Sequence, residues 1–257
     1  MQEQLQKDFI EKVKEDKTSE GHYIPHHAVT KNSSTTPTRI VYDCSSSTRN
    51  NPSLNDCLEQ GTALTTDIVA ILMRFRIHAV AFTSDIEKAF LNIRLHESDR
   101  NFTKFLWLAN PSNPESELET YRFKSILFGA TCSPFILNAV VQTHLDKNPS
   151  KIADNMKHNL YVDNLLSGVT TTQNGQNVSE VAADYYNQAK TLMRAAGFNL
   201  RRWSTNDPIL HKIIALNKDN DCMRLVNTLG LKWDSQTDTL TFPTVENSVR
   251  NSEHVTK

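Results

Sequence analysis

Residues 159–168 read NLYVDNLLSG, two short apolar runs flanking Asp163-Asn164. The pattern predicts a tight hairpin, because Asp and Asn favour turns, with strands Asn159–Val162 and Leu165–Ser167 on either side. A hairpin tip can present a carboxylate at the edge of a sheet, although the same residues also make an ordinary turn. Upstream, residues 78–90 read HAVAFTSDIEKAF. Here Asp85 closes an apolar strand, His78–Ser84, and reads either as a metal ligand or as a turn or N-cap aspartate. If the two strands are neighbours, Asp85 and Asp163 converge. Converging carboxylates suit Mg²⁺, a hard ion that prefers oxygen, and two such ions can serve phosphoryl transfer.

Between these segments lies Phe128–Phe135, FGATCSPF. Its glycine lets another molecule approach the backbone, or the segment simply caps a helix. Ser133-Pro134 is a helix start with Ser at the N-cap and Pro at the first helical position. Thr65-Thr66-Asp67 announces a second helix over IVAILMRFR, with apolar residues at 68, 69, 71, 72 and 75. Residues 178–196 read as a third helix ending at Gly197. Further strands are expected at Arg39–Tyr42, Asn92–Leu95, Thr103–Leu108, Glu119–Lys124 and Leu229–Trp233. Strands mixed with helices, and no βαβ glycine fingerprint, predict an α+β fold with an antiparallel sheet rather than a Rossmann domain.

The bulk composition narrows the choices. The 257 residues are enough for a core without disulfides. Lys+Arg is 28 against Asp+Glu 29, so any nucleic-acid site must be a local groove rather than a bulk basic surface. Cys44, Cys57, Cys132 and Cys222 form no CxxC pair, which excludes the usual zinc patterns and suits reduced thiols inside a cell. The charged start MQEQLQKDFIEKVKEDK has no apolar h-region, so no signal peptide is expected, and the apolar runs are far too short to span a membrane. The expected location is intracellular, not secreted.

The ordered segments YIPHHAVTKNSSTTPTRIVYDCSSS, LNDCLEQG, FTSDIEKAFLNIRL, YRFKSILFGATCSPFILNAV, LYVDNLLSG, AGFNLRRWSTND and LGLKWD cover about residues 22–238. They resemble the motifs of the reverse transcriptase of BEL/Pao-type long-terminal-repeat retrotransposons. The resemblance implies a right-hand polymerase fold of fingers and palm, an antiparallel palm sheet packed on helices, and a thumb truncated or absent. It implies an N-terminal helical, charged segment over 1–20, fingers and palm over 21–240, and a polar tail over 241–257. The implied partners are an RNA template, a DNA primer and dNTPs. Protease, RNase H and integrase domains of a polyprotein are expected elsewhere, because this chain carries no motif for them. The implied cellular location is a cytoplasmic virus-like particle or the nucleus.

Carried over by residue, the resemblance makes Asp85 and Asp163 the metal ligands, with the carbonyl of Ile86, for two Mg²⁺ ions or Mn²⁺ in their place. Phe90 matches a steric gate that selects dNTPs; from the residues alone it is a core phenylalanine. Lys31 and Arg39 match a basic pair gripping the triphosphate, and Arg202 a basic group near the leaving pyrophosphate. Gly129 falls at the nucleotide, with Ser133 and Pro134 against the template. Tyr161, Gly230 and Trp233 fall on the template–primer side, Trp233 being either a primer contact or a core ring.

One position departs from the pattern. Where the family reads YxDD, this chain reads Tyr161-Val162-Asp163-Asn164. Asn164 keeps an oxygen acceptor but loses the charge. At an effective dielectric of ~20 and ~5 Å, one charge pair is worth roughly 3 kcal/mol, about a hundredfold at most. Three readings follow: an active templated DNA polymerase, a catalytically impaired nucleic-acid-binding remnant, and a metal-dependent phosphodiesterase that leaves the other motifs unexplained.

Overall fold

A computed structural model describes residues 1–13, 21–30, 38–170, 176–217 and 223–243. In chain order the elements are α1 (Gln2–Gln6), β1 (Ile10–Lys12), β2 (His26–Thr30), β3 (Thr38–Tyr42), α2 (Ile68–Arg76), β4 (Val80–Ile86), β5 (Lys104–Leu108) and β6 (Leu118–Phe123). They continue with α3 (Ser133–Lys147), α4 (Lys151–Asn159), β7 (Leu160–Tyr161), β8 (Asn164–Val169), α5 (Val178–Ala195), β9 (Leu200–Thr205), α6 (Pro208–Leu216), β10 (Leu225–Thr228), β11 (Leu231–Asp234) and β12 (Thr239–Thr241). The α+β class with antiparallel sheets is as expected.

The central sheet has the order β7-β8-β4-β9, antiparallel throughout. Alternation along a strand divides its faces. Val80, Phe82 and Ile86 of β4 join Leu165, Leu200 and Trp203 on one face. Leu137, Val141, Met156, Tyr185, Tyr186, Met193, Leu210 and Ile214, from α3 to α6, bury against them. Trp203 is fully buried and meets Tyr186 edge to face at 4.9 Å. On the other face, Ala81 and Leu166 pack on Ile71 and Phe75 of α2 and on Trp233 of β11. That leaves the Asp85 end of the second face for polar groups.

A second core lies under the β1-β6-β5 sheet and the β2–β3 hairpin, where the Tyr42 ring stands edge-on to Phe105 and Phe123. Within residues 1–20, β1 pairs with β6 and Ile10 is 1% exposed, so part of that segment belongs to this core.

Helix starts follow local chemistry. The Asp67 carboxylate accepts from Val69 N–H at 2.9 Å, and Asn177 with Glu180 forms a capping box on α5. Ser133 differs from expectation. It is the first residue of α3 and its Oγ donates to Leu127 O at 2.7 Å, so it pins the preceding loop instead of capping. The expected strand Asn92–Leu95 is reduced to a 3₁₀ turn, Ala89–Asn92, and one bridge, Arg94 to Ser125. Leu229 and Gly230, expected to open a strand, form the two-residue β10–β11 turn. Both have positive φ, +48° and +83°, as a I′ hairpin requires.

Candidate active site

Asp85 sits near the end of β4, an interior strand of the sheet. In register it faces Asn164 of β8 on one side and Arg201 of β9 on the other. The β7–β8 hairpin turns at Val162-Asp163, one residue earlier than expected, and Asn164 opens β8. Val162 adopts φ +55°, a strained conformation for a β-branched residue. Asp163 is held beside Asp85 because Ile86 N–H donates to Asp163 O at 2.8 Å. The two expected carboxylates therefore flank the same strand crossing.

The β4–β9 ladder is broken between Thr83 and Asp85 by a bulge, and Arg202 takes φ +51° there. Ser84 Oγ donates to Arg201 O at 2.8 Å and steadies the bulge. Arg201, rather than Arg202, is the ion-pair partner, with Nε 3.5 Å from Asp85 Oδ2 and Nη1 3.4 Å from Glu87 Oε1. Glu87 is fixed in turn by Asn199, whose Nδ2 donates to Oε2 at 3.0 Å. Arg202 is exposed and exerts a second, weaker positive field on Asp85.

Burial pushes the Asp85 carboxyl above the usual carboxylate range, and Arg201 then Arg202 oppose that shift. Burial likewise pushes Asp163 up. Asp85 Oδ1 is buried with no hydrogen-bond partner, while Asp163 Oδ1 accepts from Asn164 Nδ2 at 2.8 Å. An orphaned, desolvated carboxylate oxygen costs about 1–3 kcal/mol unless something binds it. A hard cation fits these donors, since Mg²⁺ is commonly held by one or two carboxylates with substrate phosphates completing its shell. No cluster of three or more His, Cys, Asp or Glu occurs among the described residues, so such an ion would rest on this pair.

The remaining expected residues are dispersed around this centre. Phe90 follows in the 3₁₀ turn after β4, 6% exposed, with its ring edge-on to the exposed Phe128 at 4.6 Å. Gly129 is exposed with φ +95°, and a Cβ there would come within 3.1 Å of Tyr42 O. Asn55, not singled out from sequence, ties this turn down. Its Nδ2 donates to Gly129 O, and its Oδ1 accepts from Thr131 N–H, each at 2.9 Å. Pro134 is exposed in the first turn of α3 and Ser133 is buried. Arg39 is exposed on β3, and Lys31 lies outside the described residues. Tyr161 is half-buried on β7 beside the Trp233 cluster. Trp233 itself is 0% exposed and its Nε1 donates to Asp238 Oδ1 at 2.9 Å. Its ring is a core ring, because α2 and β12 close over it, and the primer contact is set aside for this side chain.

Besides Asn55, Arg201 and Glu87 are residues the sequence alone does not single out. Glu87 lies in the turn just after β4, two positions beyond Asp85, and no strand or helix period marks it. The choice of Arg201 over Arg202 depends on the bulge, which has no local signal.

The sequence model of the reverse transcriptase (RNA-dependent DNA polymerase) family matches residues 30–201. Among solved structures, a foamy viral protease–reverse transcriptase in complex with double-stranded DNA superimposes with TM-score 0.59 at 17% identity. That match covers 93% of this chain and 33% of the other. The foamy viral protease–reverse transcriptase in complex with an RNA/DNA hybrid gives TM-score 0.59 at 16% identity, covering 95% and 26%. At this identity the likeness is one of fold, and the chain spans about a third or less of those molecules. No curated protein gives a significant match.

Proposed function

Because the chain belongs to the reverse transcriptase family, we propose that it is the fingers-and-palm region of an RNA- and DNA-templated DNA polymerase. The convergence of Asp85 and Asp163 at one strand crossing, both desolvated, carries this reading. Two Mg²⁺ ions, or Mn²⁺, held there with the Ile86 carbonyl would activate a primer 3′-hydroxyl and stabilise departing pyrophosphate. The chain's own residues do the positioning. The Ile86–Asp163 hydrogen bond fixes the carboxylate spacing. Asn55 holds the Gly129 turn, where a nascent base pair would press on backbone. Phe90, backed by Phe128, lies one turn beyond Asp85, where a ring beneath the sugar selects dNTPs. Arg39 with Lys31, and Arg202, supply positive charge for the phosphates. Ser133-Pro134, Tyr161 and Gly230 would line the template–primer path.

The seven ordered motifs support an origin in a BEL/Pao-type retrotransposon polyprotein, with residues 21–240 as the unit and protease, RNase H and integrase as partner domains. Free Cys44, Cys57 and Cys132 fit a reducing intracellular setting. Among the described residues no helix is long and apolar enough to cross a membrane.

A second reading rests on one contact. Asn164 Nδ2 occupies Asp163 Oδ1, an oxygen that a metal would need, which favours a chain that binds nucleic acid without turnover. Primer extension on an RNA template with dNTPs and Mg²⁺ or Mn²⁺ separates the two. Extension by the native chain that Asp163→Ala abolishes supports the polymerase. Extension only by Asn164→Asp, or salt-dependent binding with no extension, supports the second reading.

A further inference from the structure

Asp85, near the end of β4, and Glu87, in the turn just after it, both contact the Arg201 guanidinium. Its contacts, 3.5 Å to Asp85 and 3.4 Å to Glu87, are both long for charged hydrogen bonds, which close to roughly 2.7–2.9 Å when optimised. Arg201 Nε and Asp85 Oδ1 are both buried without a hydrogen-bond partner. Glu87 is anchored from behind, by Asn199 Nδ2 on its carboxylate and by its own N–H on Asn199 O at 2.8 Å. The guanidinium holds Glu87 by a hydrogen bond at the long end of the range and Asp85 by an ion pair alone, and a third of the Arg201 side-chain surface is exposed.

Resting on the reading of Asp85 and Asp163 as the metal-holding pair, we propose that Arg201 is a positioning residue, a resident counter-cation shared between Asp85 and Glu87. It steadies Asp85 in the metal-free chain and withdraws to Glu87 when a divalent ion arrives. The physical reason is charge. A divalent ion and a guanidinium on one carboxylate repel each other, and the second carboxylate gives the guanidinium somewhere to go. Glu87 thus acts on metal affinity through Arg201, without touching the ion. The Lys7 and Lys88 ammoniums also act on Glu87, more weakly than Arg201, and both are paired with Glu3.

Calorimetric titration of the full chain with Mn²⁺, without nucleotide or primer, tests this. Arg201→Gln should tighten Mn²⁺ binding about three- to tenfold, and Arg201→Lys, which keeps the charge, should bind within about twofold of the native chain. Glu87→Gln should weaken binding by a similar factor with Arg201 present, and by clearly less in the Arg201→Gln background, where only the direct loss of charge remains. Unchanged or weaker binding by Arg201→Gln, or equal effects of Glu87→Gln in both backgrounds, overturns the proposal. If Asp85→Asn also binds Mn²⁺ like the native chain, the site reading falls with it. Loss of binding in Asp85→Asn with no gain in Arg201→Gln sinks the proposal alone. Should Arg201→Gln lose its native circular dichroism, Glu87→Gln and Arg201→Lys decide. No weakening by the first, or a change beyond twofold in the second, overturns it.

Discussion

Asp85 and Asp234 each stand beside an arginine at the end of an antiparallel strand, and the two pairs behave in opposite ways. Asp234, closing β11, takes three contacts from Arg224 at 3.2, 3.2 and 2.9 Å, plus the Gln236 N–H at 2.9 Å. The Arg224 hydrogen bonds hold its carboxyl down to about 2. Asp85 has one long contact to Arg201 and one oxygen with nothing, and burial drives it the other way. The Asp234 pair is complete and closes a hairpin. The Asp85 pair is incomplete and buried, a condition that persists where the surrounding core over-determines it. That core is the other face of the same sheet, where Phe82, Trp203 and Tyr185 fill the space. One face carries stability so that the other can hold an unsatisfied carboxylate.

The largest expected effect tests which aspartate matters for turnover. Asp85→Asn and Asp163→Asn should each lower primer extension on the order of a thousandfold or more, while Asp234→Asn stays within about twofold. Equal losses at Asp85 and Asp234 in a folded protein would erase the contrast. Next comes Asn164→Asp. It replaces the amide that donates to Asp163 Oδ1 with a charge. Extension should rise by up to about a hundredfold, the limit set by roughly 3 kcal/mol for one charge pair. Without metal the same variant should melt lower than the native chain, because a third carboxylate joins two desolvated ones. Thermal melts with and without Mn²⁺ read both signs.

A smaller effect is expected at Ser84, whose hydroxyl steadies the bulge through Arg201 O. Ser84→Ala should cost about 1–2 kcal/mol in urea unfolding, the usual loss when a buried carbonyl gives up its donor. It should lower kcat in primer extension by more than that loss of stability explains, because Arg201 shifts against Asp85. A kcat unchanged by the substitution would show that the bulge only shapes the strand.

How far the sequence carries these distinctions depends on the residue. Asp85 and Asp163 are legible because strand ends and hairpin tips have local signatures. The hairpin is displaced by one residue because Val162 takes a positive φ that its own chemistry disfavours, and propensity therefore points to Asp163-Asn164. Helix α4 is hidden in KIADNMKHN, where only Ala153, Met156 and Asn159 are buried and the polar remainder masks the period. Strand β9 is hidden because Arg201 and Arg202 interrupt its alternation at the bulge. The fate of Trp233 is tertiary: the packing of Ile71, Phe75, Ala81 and Leu166 around it, with Phe75 edge to face at 5.0 Å, makes it a core ring.

The smallest effect sharpens the comparison by sign. A carboxyl held down to about 2 from its ordinary 3.8 adds stability above 3.8, and that stability is lost as pH falls through about 2. The melting temperature of Asp234→Asn relative to the native chain should therefore fall as pH rises across that window. Arg224 is exposed and Asp234 half-buried, so solvent screening should keep the change on the order of 1 °C. At Asp163 burial raises the carboxyl, so its contribution is present below the ordinary value and lost as pH rises through the folded one. Asp163→Asn should then gain on the native chain as pH rises, in metal-free buffer. Melts of the three proteins from about pH 2 to 6 give two slopes, and the comparison stands only if those slopes have opposite signs.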